Sequence, residues 1–152
     1  MLPAFFIRSQ GLRRLYRLLF LPLLEEYRLT QLEADILLFL ANNPEYDTAR
    51  DMVEKRRLAK SHVSAGIDAL VCRGLLERCR LEGNRKTIHL RLTGEAAPFV
   101  ERGRAVQRQY RDLLFSGFSS AETRQLIHLL DRVAENVDAA LLEERKGQDG
   151  NV

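Results

Sequence analysis

Four polar residues cluster at the start of one apolar-patterned segment: Lys60, Ser61, His62 and Ser64. Serine and histidine can bond the edges of DNA bases, and lysine can bind guanine or phosphate. Two further cations, Arg85 and Lys86, follow the turn-forming residues Glu82-Gly83-Asn84 and suit a narrow minor groove, where the potential is most negative. Arg56, Arg57 and Arg73 read as phosphate contacts or ordinary surface. Each group has a plainer reading, a solvated polar face. The other reactive residue types point nowhere. His62, His89 and His128 are scattered, and no His-x-x-x-His, nucleophile–His–acid order or phosphate loop is present, so neither catalysis nor a structural metal or cofactor is expected. His89 could sense pH or line a pocket, and an exposed strand position explains it equally well. Cys72 and Cys79 are too few for a disulfide scaffold and lack metal-site spacing. They are expected to be buried and inert rather than redox sensors.

The elements that must position the polar cluster lie between Leu58 and Leu92. Val63, Ile67, Leu70 and Val71 repeat at i, i+4, i+7, i+8, one face of a helix over Ala59–Arg73. Gly74 follows it, where a C′ glycine often ends a helix. Two strand-like runs come next, Leu75–Leu81 and Thr87–Leu92, and in the second Ile88, Leu90 and Leu92 alternate with polar residues. A helix followed by a hairpin with a basic tip is the pattern of a winged helix-turn-helix, whose helix enters a major groove while its wing reaches the backbone or minor groove. Charge supports it. The formal net charge of the chain is only +3, yet Arg50–Lys86 with Arg91 hold eleven Lys/Arg against five Asp/Glu, and the remainder is net acidic. The basic excess therefore falls where phosphate contacts would use it.

The rest of the chain frames this unit. At 152 residues it is one domain, or one domain with oligomerising extensions. The expected fold is mainly α with a small β-hairpin wing. Its parts are an N-terminal helix at 1–28, the winged unit at 29–92, C-terminal helices at 93–145 and a frayed tail at 146–152. In the first helix Leu12, Leu15, Leu19 and Leu23 form a stripe, while Leu18, Phe20, Leu21 and Leu24 make it apolar on other faces. Such a helix must be covered on several sides, and a partner subunit is the expected cover. Pro22 should kink it or begin a new segment. Thr30-Gln31-Leu32-Glu33 is a capping box opening a helix with Leu32, Ile36, Phe39 and Leu40 on one face, closed by Asn42-Asn43-Pro44. Thr48 should cap a short helix with Ala49, Met52 and Val53 inward. Thr93 should cap a helix reaching about Phe115, with Val100, Val106, Tyr110 and Leu113 inward and a bend or late start at Pro98. Ser119-Ser120-Ala121-Glu122 is a second capping box. Leu126, Leu130, Val133, Val137 and Leu141 then form a near-heptad stripe suited to packing on another helix.

Laid out in this way, the chain resembles the MarR family of bacterial transcriptional regulators. The residues that carry the resemblance are Leu29-Thr30, Leu58-Ala59-Lys60-Ser61, Val63-Ser64, Ile67-Asp68-x-Leu70, Gly74-Leu75-Leu76-Glu77-Arg78, Asn84-Arg85-Lys86 and Leu90-Arg91-Leu92-Thr93. It covers about Leu29 to Leu141. The resemblance implies a homodimer whose first, fifth and sixth helices interlock, with two winged domains reading a palindrome in double-stranded DNA. It also implies a pocket for a small-molecule effector between the dimer core and the DNA-binding lobes. Three departures stand out. Ala59 replaces the hydroxyl residue that usually caps the recognition helix, and losing such a cap costs about 1 kcal/mol. Asn84 stands where the family usually has an Asp that braces the wing-tip Arg. Ala65-Gly66 stands where many members have an Arg after the Val-Ser/Thr pair, which removes a base-reading side chain and puts a flexible glycine in the helix.

A second class of function also fits these departures: a winged-helix protein-interaction module that has lost sequence-specific DNA binding. An enzyme fits poorly. The apolar run Leu18–Leu24 is too short to span a bilayer and has no small-residue cleavage site, so no membrane association and a cytoplasmic location are expected.

Overall fold

The computed structural model describes residues 2–149, with side chains described for 9–80, 82, 83 and 86–143. In order the elements are α1 (Leu2–Tyr27), α2 (Gln31–Asn42), α3 (Ala49–Arg56), α4 (Lys60–Cys72), β1 (Leu76–Leu81), β2 (Asn84–Leu92), a 3-10 turn (Gly94–Ala96), α5 (Ala97–Leu114) and α6 (Ser120–Asp149). The chain divides into two compact units, one ending at Arg111 and one beginning at Asp112.

The core belongs to the first unit. Ile36, Leu37 and Leu38 of α2 are buried together with Met52 of α3, Val63, Ile67 and Leu70 of α4, Leu76 of β1, Leu90 of β2 and Phe99 of α5. The helix starts follow local chemistry. Thr30 Oγ1 accepts from the Glu33 N–H and the Glu33 carboxylate accepts from the Thr30 N–H, closing the expected capping box. Thr48 does the same with Asp51, so α3 carries a full box as well. Helix α2 ends at Asn43, as the Asn-Asn-Pro sequence implies.

Five expectations are corrected or narrowed. First, of the two outcomes expected at Pro22, a kink or a new segment, the second falls, because Pro22 lies inside α1. The bond it cannot donate is the one that Leu18 O would accept, and Leu18 is exposed, where water can donate to that carbonyl instead. Second, of the leucine stripe Leu23 is buried, Leu15 and Leu19 are half-buried and Leu12 is exposed, while Tyr16, Phe20, Leu24 and Tyr27 carry the rest of the inward face of α1. Aromatic rings decide this: Tyr16 packs on Phe20 and Tyr110, and Tyr27 on Phe99. Third, Ala49 and Leu113 are exposed, while Phe99 and Gly103 join the expected Val100 on the buried face of α5. Fourth, Thr93 makes no side-chain cap. Its hydroxyl donates to Gly74 O at 2.6 Å instead, and Pro98 falls in the first turn of a late-starting α5. Fifth, α6 continues as helix through 146–149, where a tail was expected. Residues 150–152 lie outside those described.

The wing is a two-stranded antiparallel sheet with Glu77 opposite Arg91 and Leu81 opposite Asn84. Only Glu82-Gly83 turns, with Gly83 at φ +85°, so β2 begins three residues earlier than its apolar alternation suggests. A two-residue turn with a positive-φ glycine keeps the strands in register. An irregularity between Cys79 and Leu81 adjusts the pairing near the tip. Leu90 is buried, Leu92 half-buried and Ile88 exposed, so the inward alternation holds only where the wing roots against α2.

In the second unit, Ser119 and Glu122 form the expected capping box of α6. Its apolar stripe, Leu130, Val133, Val137 and Leu141, lies exposed.

Candidate nucleic-acid interface

Helix α4 owes its orientation to what it buries. Val63, Gly66, Ile67 and Leu70 face the core, which turns Lys60, Ser61, His62, Ser64 and Ala65 to solvent on its opposite side. The expected reading residues are thus presented together at the N-terminal end of the helix. That end is uncapped by any side chain: Ala59 takes the extended N-cap conformation but offers no acceptor. Its unpaired N–H groups and the positive end of the helix dipole are both favourable to phosphate. Arg57, in the left-handed conformation at φ +52° that ends α3, is exposed just before this end.

Gly66 corrects the sequence reading. It is buried, and a Cβ built there would lie 2.6 Å from Ile36 Cδ1. Glycine at this position is what lets α4 approach α2 closely; it does not stand in for a base-reading residue. Only Ala65, which is exposed, occupies the outward position after Val63-Ser64.

Electrostatics on the outward face favour an anion. The one carboxylate on that face, Asp68, pairs with Arg78 of β1, so it presents little net negative charge. Sequence reasoning missed this pair, since ten residues and a change of element separate the partners. Lys86 on β2 is exposed. Arg85 and Asn84 belong to β2 by backbone, and their side chains lie outside the described residues. Arg73 is engaged elsewhere: its Nη1 donates to Arg28 O at 2.8 Å and its Nη2 to Tyr27 O at 2.6 Å. Arg56 is likewise held by Asp35 at 3.2 Å.

The wing is fastened at its root by Asp47. Its carbonyl accepts the Leu90 N–H at 2.7 Å, and its Oδ1 lies 2.7 Å from His89 Nδ1. His89 is therefore a half-buried clamp on the loop before α3 rather than an exposed strand residue. Cys79 is half-buried beside it, with Sγ 3.7 Å from His89 O. Cys72 is exposed, against the expectation of burial. It follows the outward positions of α4 and packs no core. Among the described residues no group of three or more His, Cys, Asp or Glu could hold a metal ion, and no helix is long and apolar enough to cross a membrane.

Three solved structures share this architecture. One is a putative MarR family transcriptional regulator from Listeria monocytogenes, solved with a 26mer DNA. It is 20% identical, with a TM-score of 0.80 over 97% of this chain and 95% of that one. A MarR transcriptional regulator from Methanosarcina mazei is 18% identical, with a TM-score of 0.74 over 90% and 91%. MepR from S. aureus, solved in complex with DNA, is 17% identical, with a TM-score of 0.68 over 87% and 91%. At these identities the likeness is one of fold. Sequence supplies the rest: residues 29–86, from the start of the α2 cap to the wing tip, match the model of the MarR family. The chain is thus similar to the MarR family in sequence over residues 29–86, the winged helix, and to solved MarR regulators in fold over nearly its whole length.

Proposed function

We propose that the protein is a homodimeric transcriptional regulator that binds a palindromic operator in double-stranded DNA, with α4 in the major groove and the wing at the backbone or minor groove. One observation carries this reading. The exposed N-terminal face of α4, bearing Lys60, Ser61, His62 and Ser64, lies on the segment that holds the basic excess, with its carboxylate paired. In the proposal Ser61, His62 and Ser64 read base edges. Lys60 contacts guanine or phosphate, and Arg57, Arg85 and Lys86 contact the backbone. That two structurally similar regulators were solved with DNA supports it. The site of action is then the cytoplasm.

Release by a small-molecule effector completes the proposal. A cavity of about 280 Å³ lies between α1 and α5, lined by Leu19, Pro22, Leu23, Arg102, Val106 and Gln109. It is slightly smaller than the roughly 300–1,000 Å³ of ligand pockets, and its wall joins apolar side chains to Gln109 and to Arg102, which is paired with Glu26.

The test is selection of bound fragments from a random DNA pool, followed by titration of the winner at two salt concentrations. The expected result is a palindromic site and a steep decrease of affinity with salt. Binding that is weak, shows no preferred site and ignores salt overturns the reading and moves the partner-binding alternative ahead.

A further inference from the structure

The recognition helix packs on the core through Val63, Ile67 and Leu70, and its two ends differ in the polar contacts that hold them. Its start has no side-chain cap, whereas its C-cap residue, Arg73, reaches across to the end of α1. The two carbonyls it holds, Tyr27 O and Arg28 O, are the last of that helix and its following residue. Carbonyls at a helix C-terminus lack intrahelical partners and carry the negative end of the dipole, so they suit a cation. The neighbouring N–H groups at the corner are already used: Arg28 N–H goes to Glu25 O and Leu29 N–H to Leu24 O, with Arg28 at φ +50°. Two carbonyls at 2.6 and 2.8 Å from the two terminal nitrogens of one guanidinium are a match for a rigid planar fork, which a lysine ammonium cannot reproduce. The next residue is pinned too. Gly74, at φ +70°, gives its carbonyl to the Thr93 hydroxyl at the exit of the wing. Arg73 thus sits where α1, α4 and the wing meet, all within the first unit.

Leverage makes this consequential. A 13-residue helix is about 20 Å long. A rotation of about 5° at the Arg73 end therefore moves the reading end by nearly 2 Å, enough to break a base-edge hydrogen bond. We propose that Arg73 is a positioning residue: it fixes the pitch of the recognition helix against α1, and so the separation of the two reading heads, without contacting DNA phosphate. The proposal rests on the DNA-binding reading above.

Two variants of the full chain test it, Arg73→Lys and Arg73→Ala, the first keeping the charge so that a folded comparison exists. Selection from palindromes with half-site spacings varied base pair by base pair is expected to show loss of the wild-type spacing preference in both variants, with the salt slope of binding unchanged. A phosphate contact gives the opposite pattern, an unchanged spacing preference and a slope lowered by about one in Arg73→Ala, and that overturns the proposal. A second measurement needs no DNA. Spin labels at Arg14→Cys on α1 and Ala65→Cys on α4, with Cys72→Ser and Cys79→Ala and dilution by unlabelled chain, report the intrachain distance. It is expected to be narrow with Arg73 and broad or shifted with Arg73→Ala; identical distributions overturn the anchor. A wild type that binds no DNA sinks the functional reading alone, because the label distance still decides whether Arg73 holds α4.

Discussion

Asp35 shows how a single residue's cost can be placed. Its carboxylate is largely buried against α3, bonded to the Arg56 guanidinium at 3.2 Å and the Gln31 amide at 3.0 Å. Burial pushes its pKa above the ordinary value of 3.8, and Arg56 and Gln31 only partly pull it back. In the window between the ordinary and the raised value the folded state binds more protons than the unfolded chain, so stability falls as pH rises through it. At neutral pH the full cost of burying the charge is present. Asp35→Asn is therefore expected to unfold at a higher temperature than wild type at pH 7, with the difference vanishing in acid, where the wild-type carboxyl is protonated. Thermal melts at the two pH values check this, and a variant less stable at pH 7 contradicts it. Gly66 is a residue of another kind. A Cβ there must displace buried Ile36, and overpacking costs about 1–3 kcal/mol against about 1 kcal/mol of helix propensity recovered. Gly66→Ala should thus lose up to about 2 kcal/mol by denaturant midpoint, and a stabilised variant would show the contact yields easily. Neither residue's role was legible in the sequence. A glycine in a helix reads as a missing side chain until the facing helix is known, and the burial of Asp35 depends on two other elements.

At the scale of elements, local chemistry was the most legible. Both capping boxes expected from Ser/Thr-x-x-Glu spacing formed, and so did the Val63–Leu70 core face of α4 and the glycine at its end. Such signals depend on residues within one turn of each other. What failed to show was tertiary: which residues complete the buried face of α1, where β2 begins, and the Asp47–His89 clamp across 42 residues. β2 was read late because Asn84, Arg85 and Lys86 have little intrinsic strand preference, and pairing with β1 overrides it. The missing cap of α4 can be repaired. Ala59 already holds the extended conformation of an N-cap, so Ala59→Ser is expected to stabilise the protein by about 1 kcal/mol, read as a raised denaturant midpoint; no change would mean the helix start is already satisfied. Helix and wing should also separate in DNA binding. Ser64→Ala is expected to change sequence preference with little change in salt slope, and Arg85→Ala to weaken binding across sequences and lower the slope by about one. An intact Arg85→Ala variant with wild-type affinity and slope would show that the wing does not touch DNA.

At the scale of the whole molecule the unresolved demand is apolar surface. Leu12, Leu18 and Leu21 of α1 are exposed, as are Leu130, Val133, Val137 and Leu141 of α6, each between 40% and 56%. A monomer seldom leaves contiguous apolar patches of this kind uncovered. The stripe on α6 repeats at the spacing of helix-on-helix packing, and an isologous interface would cover the same stripe on both subunits at once. Two-fold symmetry is also what a palindrome demands of its reader, since each half-site then meets an identical recognition helix. The expectation is a dimer in sedimentation at micromolar concentration. Val133→Glu places a carboxylate in the middle of the stripe, where two copies would face each other near the axis without a cation to pair them. It should raise the dimer dissociation constant by at least about tenfold, about 1.4 kcal/mol, while the first unit, with its own core, keeps its fold. Affinity for a full palindrome should drop with it, and the weak affinity for an isolated half-site should not, because the residues on α4 are untouched. A wild type that sediments as a clean monomer, or a Val133→Glu variant that dimerises as before, removes α6 from the interface and leaves its exposed stripe to a different partner.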